Sequence, residues 1–95
     1  MTPMPPLTTD ELRATVLRVL GEIAPEADLA RLKPDVSFRD QLDLDSMDLL
    51  NFCIGLHEML RVEIPEADYP KLATLADCVQ HLATLLDHRR ERAYP

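Results

Sequence analysis

Three stretches of the chain carry apolar residues at helical spacing, and strand formers never alternate over a useful length. At about 100° per residue, the apolar positions of the first stretch fall on a single stripe. A capping box at Thr8 and Glu11 begins this first helix, which we predict to end near Ala24, because Pro25 follows. Its stripe consists of Leu12, Val16, Val19, Leu20 and Ile23.

Two further helices follow later in the chain. The second is predicted from about Ser46 to Arg61, and the last begins at Leu75, after a Thr74 cap, and ends near His88. The core stripe of the last helix consists of Leu75, Val79, Leu82 and Leu86.

The connections between these helices are long. A structureless loop over residues 25–45 would be unusual in a compact domain, so we expect a loop pinned across the core, with a helical turn at Glu26 to Leu32. Its recurring apolar residues are Leu29, Leu32, Val36, Phe38 and Leu42. In the next connection, Pro65 and Pro70 leave room for one short helical turn at most. The sequence therefore predicts an all-α fold, a small three-to-four-helix bundle with a long first loop and a short third helix.

The length of 95 residues suits one small domain with a modest core. We expect a disordered lead-in over residues 1–8, a folded domain over 9–88 and a polar tail over 89–95. The N-terminus is Pro-rich and lacks the apolar region of a signal peptide, and no apolar run approaches transmembrane length. We interpret Cys53 and Cys78 as reduced core thiols of a cytoplasmic protein, since no Cys/His spacing suits a metal.

The net negative charge of the chain argues against some classes of binding partner. The formal net charge is −7 and the sequence pI is near 4.7. Nucleic acids and anionic membrane surfaces need a basic face, so the sequence argues against both. An acidic domain is better suited to basic patches on other proteins, which accelerate encounter.

The second predicted helix has more apolar surface than one core face requires. Its core stripe consists of Leu49, Phe52, Cys53, Leu56 and Leu60. Met47, Leu50 and Ile54 cluster on another side, and a bundle this small cannot bury both faces. Either Leu50 and Ile54 fill a groove against the long loop, or all three residues form an exposed docking patch. Their clustering favours the patch.

Ser46 stands at the head of this helix, between Asp45 and Asp48. Its hydroxyl could cap the helix, but Asp45 could do the same. A phosphate esterified there would be favoured by the free N–H groups and partial positive charge of the helix start. A catalytic serine needs a base within reach, whereas His57 is three turns away and no G-x-S-x-G elbow is present. We therefore predict no catalytic residues.

Four motifs occur in order along the chain. They are S-F-x-x-x-L at residues 37–42, D-S-M-D at 45–48, E-I-P at 63–65 and the capped last helix at Thr74. Over residues 8–86 this ordered set resembles the acyl carrier proteins of the phosphopantetheine-attachment family. The resemblance implies the acyl-carrier type of helical bundle.

The resemblance also implies a covalent 4′-phosphopantetheine on Ser46, added from coenzyme A by a phosphopantetheinyl transferase, with Asp45, Met47 and Asp48 as the rest of the cofactor-binding motif. A carrier of this family is not an enzyme. It holds acyl groups as thioesters and presents them to acyl-activating or ketosynthase-type enzymes, and longer chains can slip between its helices. The implied docking face on the second helix consists of Met47, Asp48, Leu50, Asn51, Ile54 and Glu58.

The sequence departs from the common family pattern at two places, and both bear on the metabolic pathway that the carrier serves. Asp43 and Leu44 precede the D-S motif, where Gly-Ala or Gly-Leu is frequent, and the second helix has fewer acids than bacterial fatty-acid carriers. We therefore expect a free-standing, monomeric carrier of fatty-acid, polyketide or other specialised acyl metabolism. Peptidyl and aminoacyl carriers commonly read G-G-x-S, which disfavours them. They stay open as an alternative, as does an unmodified carrier-like interaction module.

Overall fold

A computed structural model describes residues 8–92, and the side chains of residues 8–87. Every regular element within this part of the chain is helical, which confirms the predicted all-α bundle. The α-helices are α1 (Thr9–Ile23), α2 (Phe38–Leu42), α3 (Ser46–Leu60) and α4 (Leu75–Arg92), and two 3₁₀ segments cover Leu29–Arg31 and Glu66–Leu72. Apart from Thr8, the predicted lead-in lies outside the described residues, as do residues 93–95 of the predicted tail.

Helix α1 begins with the predicted capping box. The Thr8 side chain accepts from the Glu11 N–H at 3.1 Å, and the Glu11 carboxylate accepts from the Thr8 N–H at 3.1 Å. The helix ends at Ile23, one residue before the predicted end, and the Ala24 N–H closes it on the Leu20 carbonyl at 2.7 Å. Its buried residues, Leu12, Val16, Val19 and Leu20, belong to the predicted stripe.

The core lies between α1, α3 and α4, because α1 packs against both of the other long helices. The contact of α1 with α3 includes Gly55 of α3. A Cβ atom there would lie 2.7 Å from Cγ1 of Val19, which is buried. Glycine is therefore the residue that lets these two helices approach each other. None of the helices within residues 8–92 is long and apolar enough to cross a bilayer.

The first connection is more ordered than the sequence indicated. A 3₁₀ turn at Leu29–Arg31 falls inside the predicted helical turn, but the five-residue helix α2 was not predicted. The Ser37 side chain caps α2 by accepting from the Asp40 N–H at 3.2 Å. A helix this short completes little more than one turn, so it shows no apolar period in the sequence.

Hydrogen bonds of the Gln41 side-chain amide and of the backbone hold this first connection together. The Gln41 side chain accepts from the Lys33 N–H at 2.9 Å and donates to the carbonyls of Lys33 and Val36 at 2.8 Å each. The Ala76 N–H donates to the Pro34 carbonyl at 3.1 Å, which ties the connection to the start of α4. These bonds fix a segment that has little regular structure of its own.

Phe38 is the apolar anchor of this connection, which confirms that the segment is pinned across the core. Its side chain is fully buried and meets the Phe52 ring edge-on, with the ring centroids 5.3 Å apart. Its N–H donates to the Ala73 carbonyl at 2.8 Å. Phe38 thereby joins α2 to α3 and to Ala73, two residues before α4.

Two boundaries near the C-terminus differ from the prediction. The second 3₁₀ segment is seven residues long and continues through Pro70, whereas we expected one short turn between the prolines. Pro70 lacks only its own donor, and other bonds hold the segment, including one from the Asp68 N–H to the Pro65 carbonyl at 2.8 Å. Helix α4 has the predicted Thr74 cap but ends at Arg92 rather than near His88, because polar helix formers extend it beyond its apolar stripe.

We predict that Gly55→Ala destabilises the fold. An added methyl group would overlap with Val19, whose β-branched side chain has little rotamer freedom in a helix. Overpacking typically costs about 1–3 kcal/mol and alanine returns about 1 kcal/mol of helix propensity, so we expect a net loss of up to about 2 kcal/mol. Denaturant unfolding measures this change. Gly55→Ala should cost less in a Val19→Ala background, and an unchanged cost there would contradict the overlap.

Candidate functional site

The start of α3 is built by two aspartates. Asp45 is the N-cap, and its Oδ1 accepts from the Asp48 N–H at 2.8 Å. Oδ2 of Asp48 accepts in return from the Asp45 N–H at 3.2 Å, which completes a capping box. Of the two candidate caps, the structure therefore selects Asp45, and the hydroxyl of Ser46 is not needed to begin the helix.

Ser46 is the first residue of α3 and is exposed. Its hydroxyl has no hydrogen-bond partner among the described residues. The capping box uses the N–H of Asp48 and leaves those of Ser46 and Met47 without a partner in the same part of the chain. An accessible hydroxyl therefore stands beside two free N–H groups at the positive end of the helix dipole.

The two residues that depart from the family pattern turn the chain into α3. Asp43 closes α2 in the left-handed conformation, with φ 54° and ψ 48°, and its N–H donates to the Arg39 carbonyl. Aspartate tolerates this region better than most residues with a side chain. Leu44 is buried and anchors the turn in the core. Asp43 thus provides the backbone geometry that a glycine often provides at this position.

The predicted second apolar face of α3 is exposed. Met47, Leu50 and Ile54 are 63%, 39% and 42% exposed, so the alternative that the long loop buries them is wrong. Asn51 and Glu58 are also exposed, and Asp48 is half-buried. Met59 is a further exposed apolar residue, near the opposite end of α3.

A groove of about 440 Å³ lies beside Ser46, between α3 and the 3₁₀ segment at Glu66–Leu72. Its apolar lining consists of Leu49, Leu50, Phe52, Cys53, Pro70, Leu72 and Ala73, and its polar lining of Ser37, Arg39, Ser46, Glu66 and Tyr69. Sequence reasoning missed the wall formed by the 3₁₀ segment. Only the E-I-P motif at residues 63–65 marks this part of the chain, and it lies just before that wall.

The outer wall of the groove is joined to α4 by a hydrogen bond between Asp68 of the 3₁₀ segment and His81 of α4. Nε2 of His81 lies 3.0 Å from Oδ2 of Asp68, and Nζ of Lys71 lies 3.5 Å from Oδ1 of the same carboxylate. The hydrogen bond from His81, assisted by the charge of Lys71, lowers the pKa of Asp68. The 3₁₀ segment is therefore held on its side that faces α4, opposite the groove.

Neither described histidine side chain is placed to activate Ser46. Nδ1 of His57 lies 2.7 Å from the Val62 carbonyl oxygen, at the far end of α3. Eleven residues separate His57 from Ser46, which is roughly 16 Å along the helix axis. His81 is engaged with Asp68. Among the described side chains, neither histidine thus supplies Ser46 with the base that a serine nucleophile requires.

Both cysteines are free, buried thiols, as predicted. Burial raises the pKa of Cys53 to about 11. Burial, together with the proximity of Cys53, raises the pKa of Cys78 far above its ordinary value. Cys53 lines the groove and therefore contributes a neutral, weakly polar surface to it.

A family model described as the phosphopantetheine attachment site matches residues 10–82, which is most of the chain. The chain belongs to this family. An acyl carrier protein of Renibacterium salmoninarum is 30% identical over 81% of this chain and 94% of its own length. The meromycolate extension acyl carrier protein of Mycobacterium tuberculosis is 27% identical over 93% of this chain and 76% of its own length.

The fold is also similar to that of a solved acyl carrier protein. The solution structure of a 3-oxo-butyl carrier, an intermediate mimic from the actinorhodin polyketide synthase of Streptomyces coelicolor, matches with a TM-score of 0.61 and 26% identity. The match covers 90% of this chain and 98% of that one. The chain is therefore an acyl carrier protein with the helical bundle expected from its sequence.

The prosthetic group of this family is 4′-phosphopantetheine, and the residues at the head of α3 fit it. A phosphodiester on Ser46 would lie next to the unpaired N–H groups of Ser46 and Met47. The apolar groove beside it offers a surface for the arm or its cargo. Asp45 and Asp48 use one carboxylate oxygen each in the capping box, and the second oxygen of each stays available to a partner.

We predict that the two residues at the head of α3 differ in their contribution to stability. Asp45→Ala removes the cap and should cost about 1 kcal/mol. Ser46→Ala removes a hydroxyl without a partner, so its cost should stay within about 0.5 kcal/mol. Urea unfolding of both variants tests this. A larger loss for Ser46→Ala than for Asp45→Ala would mean that the serine caps the helix.

Proposed function

We propose that this protein carries acyl intermediates of fatty-acid or polyketide metabolism on a phosphopantetheine arm attached to Ser46. The observation that carries the proposal is the exposed, unbonded Ser46 hydroxyl at the positive end of α3, next to an apolar groove. The arm supplies the thiol on which the acyl group is held as a thioester. The protein supplies an attachment point for the arm, a docking surface for partner enzymes and an apolar groove that shields the acyl group from water.

The acidic residues around Ser46 suit a partner with a basic surface. Asp45 and Asp48 lie on both sides of the serine, and the chain has a net charge of −7. Opposite charge accelerates encounter and orients the partner without requiring tight binding. We propose that a phosphopantetheinyl transferase recognises this acidic start of α3 and modifies the hydroxyl between the two carboxylates.

The exposed face of α3 provides contact area next to the modified residue. Met47 lies directly beside Ser46, and Leu50 and Ile54 follow at helical spacing on the same side. Asp48, Asn51 and Glu58 provide the polar part of the same surface. We propose that the transferase and acyl-activating or ketosynthase-type enzymes use this face in turn, since one small surface beside the arm must serve each of them.

The groove beside Ser46 is suited to an acyl chain. Leu49, Leu50 and Leu72 contribute apolar walls, and burial of a chain against them removes its methylene groups from water. The similar carriers from meromycolate extension and from a polyketide synthase support an acyl cargo rather than an amino acid. A free-standing, monomeric, non-enzymatic protein of the cytoplasm is the form that we propose for this carrier.

Intact mass spectrometry tests the attachment. We expect the wild type to gain one phosphopantetheinyl group when it is incubated with coenzyme A and a broad-specificity transferase, and Ser46→Ala to gain none. Ser37, the other serine of the chain, is the matched control, because it also lines the groove but its side chain caps α2. Ser37→Ala should still be modified. An unmodified wild type, or a modified Ser46→Ala, would refute the proposal.

The docking face is tested by the rate of the same modification. Met47→Ala should lower kcat/KM of the transferase about 5–10-fold, since loss of a well-packed apolar contact costs about 1–1.5 kcal/mol. Met59 is the control, because it is 44% exposed on the same helix but lies twelve residues, roughly 18 Å along the helix axis, from Met47. Equal effects of Met47→Ala and Met59→Ala would exclude this face as the docking site.

A further inference from the structure

The groove beside Ser46 is followed by a second depression further along α3. The second depression has a volume of about 460 Å³ and is lined by Ile54, His57, Glu63, Ile64 and Pro65, together with Cys53 and Tyr69. Cys53 and Tyr69 also line the first groove. The two spaces are thus neighbours along one face of α3, and they meet at this pair of residues.

Tyr69 and Cys53 belong to the two different elements that meet where the first groove borders the second depression. Cys53 belongs to α3 and is buried in the floor, whereas Tyr69 belongs to the 3₁₀ segment and is half-buried against the core. A thiol is small, so the phenol ring supplies most of the bulk at this point. Removal of the ring would join the two depressions, while removal of the hydroxyl alone would leave them divided.

The two spaces also differ in their access from the attachment point. Ser46 lines the first groove but not the second. Because Cys53 and Tyr69 line both spaces, a chain that extends from the groove at Ser46 into the depression at Ile64 passes these two residues. Each methylene group that leaves water favours the sheltered state about fourfold, so the length of chain that fits before the ring sets how strongly a cargo is sheltered.

We propose that Tyr69 is a specificity-determining residue that restricts sheltered cargo to acyl chains short enough to end in the groove beside Ser46. This inference rests on the proposed attachment of the arm to Ser46. Chains longer than the first groove leave their ends in solvent. The length limit is therefore a property of one side chain and not of the bundle as a whole.

The experiment compares wild type, Tyr69→Ala and Tyr69→Phe, each loaded by a broad-specificity transferase with acyl-coenzyme A thioesters of increasing length, from butyryl to lauroyl. Intact mass first verifies that Ser46 carries the acyl arm. The readout is the rise in Tm of each acylated form above the unacylated holo form of the same variant. This difference cancels any stability that the substitution itself removes.

We expect the rise in Tm to grow with acyl-chain length up to a limiting length. This limiting length should be shorter in the wild type and in Tyr69→Phe than in Tyr69→Ala. In loaded Tyr69→Ala, the terminal methyl group of the lauroyl chain should show nuclear Overhauser contacts with Ile64, and these should be absent from the wild type. If Tyr69→Ala does not fold, Tyr69→Leu takes its place with the same expectation.

Two outcomes overturn the inference while the proposed function stands. One is the same limiting length in all variants of a correctly acylated protein, and the other is no rise in Tm at any length in the wild type. A wild type that takes up no arm at Ser46 refutes the proposed function itself, and the role of Tyr69 with it.

Discussion

The capping box between Asp45 and Asp48 is the constraint on which the site depends. A helix must satisfy its first N–H groups, and a serine in this sequence position would commonly do so with its own hydroxyl. Because Asp45 takes that role, α3 begins one residue earlier and Ser46 becomes its first residue. The Ser46 hydroxyl is then not needed as a helix cap, and the neighbouring N–H groups keep their positive potential.

The position of that helix start is fixed by the core on both sides of the preceding turn. Phe38 packs edge-on against Phe52 of α3, and Leu44 is buried immediately before the cap. Between them, the left-handed Asp43 reverses the chain. Two apolar anchors and one turn therefore hold this short surface segment, and with it Ser46, in a defined orientation relative to the exposed face of α3.

Features that depend on apolar periodicity could be predicted from the sequence. The three long helices, the buried stripe of α1 and the excess apolar face of α3 each depend on residues at helical spacing, and all were confirmed. Helix α2 is too short to show a period, and the second 3₁₀ segment continues through Pro70, which a rule about proline excluded. The groove was not predictable, because its outer wall depends on how that segment packs in three dimensions. Tyr69 in particular has no neighbours in the sequence that indicate its position beside Cys53.

The groove exists because its outer wall is held by a different helix from the one it faces. The 3₁₀ segment packs mainly on α4, where Asp68 meets His81, and this leaves apolar space between the segment and α3. A wall fastened to α3 itself would have closed that space with its own side chains. With the fastening on α4, the wall is held independently of the α1–α3 contact at Gly55, where a close approach tolerates little change. The long helices α1 and α3 thus fix the start and the exposed face of α3, while the groove lies on the side bounded by the 3₁₀ segment.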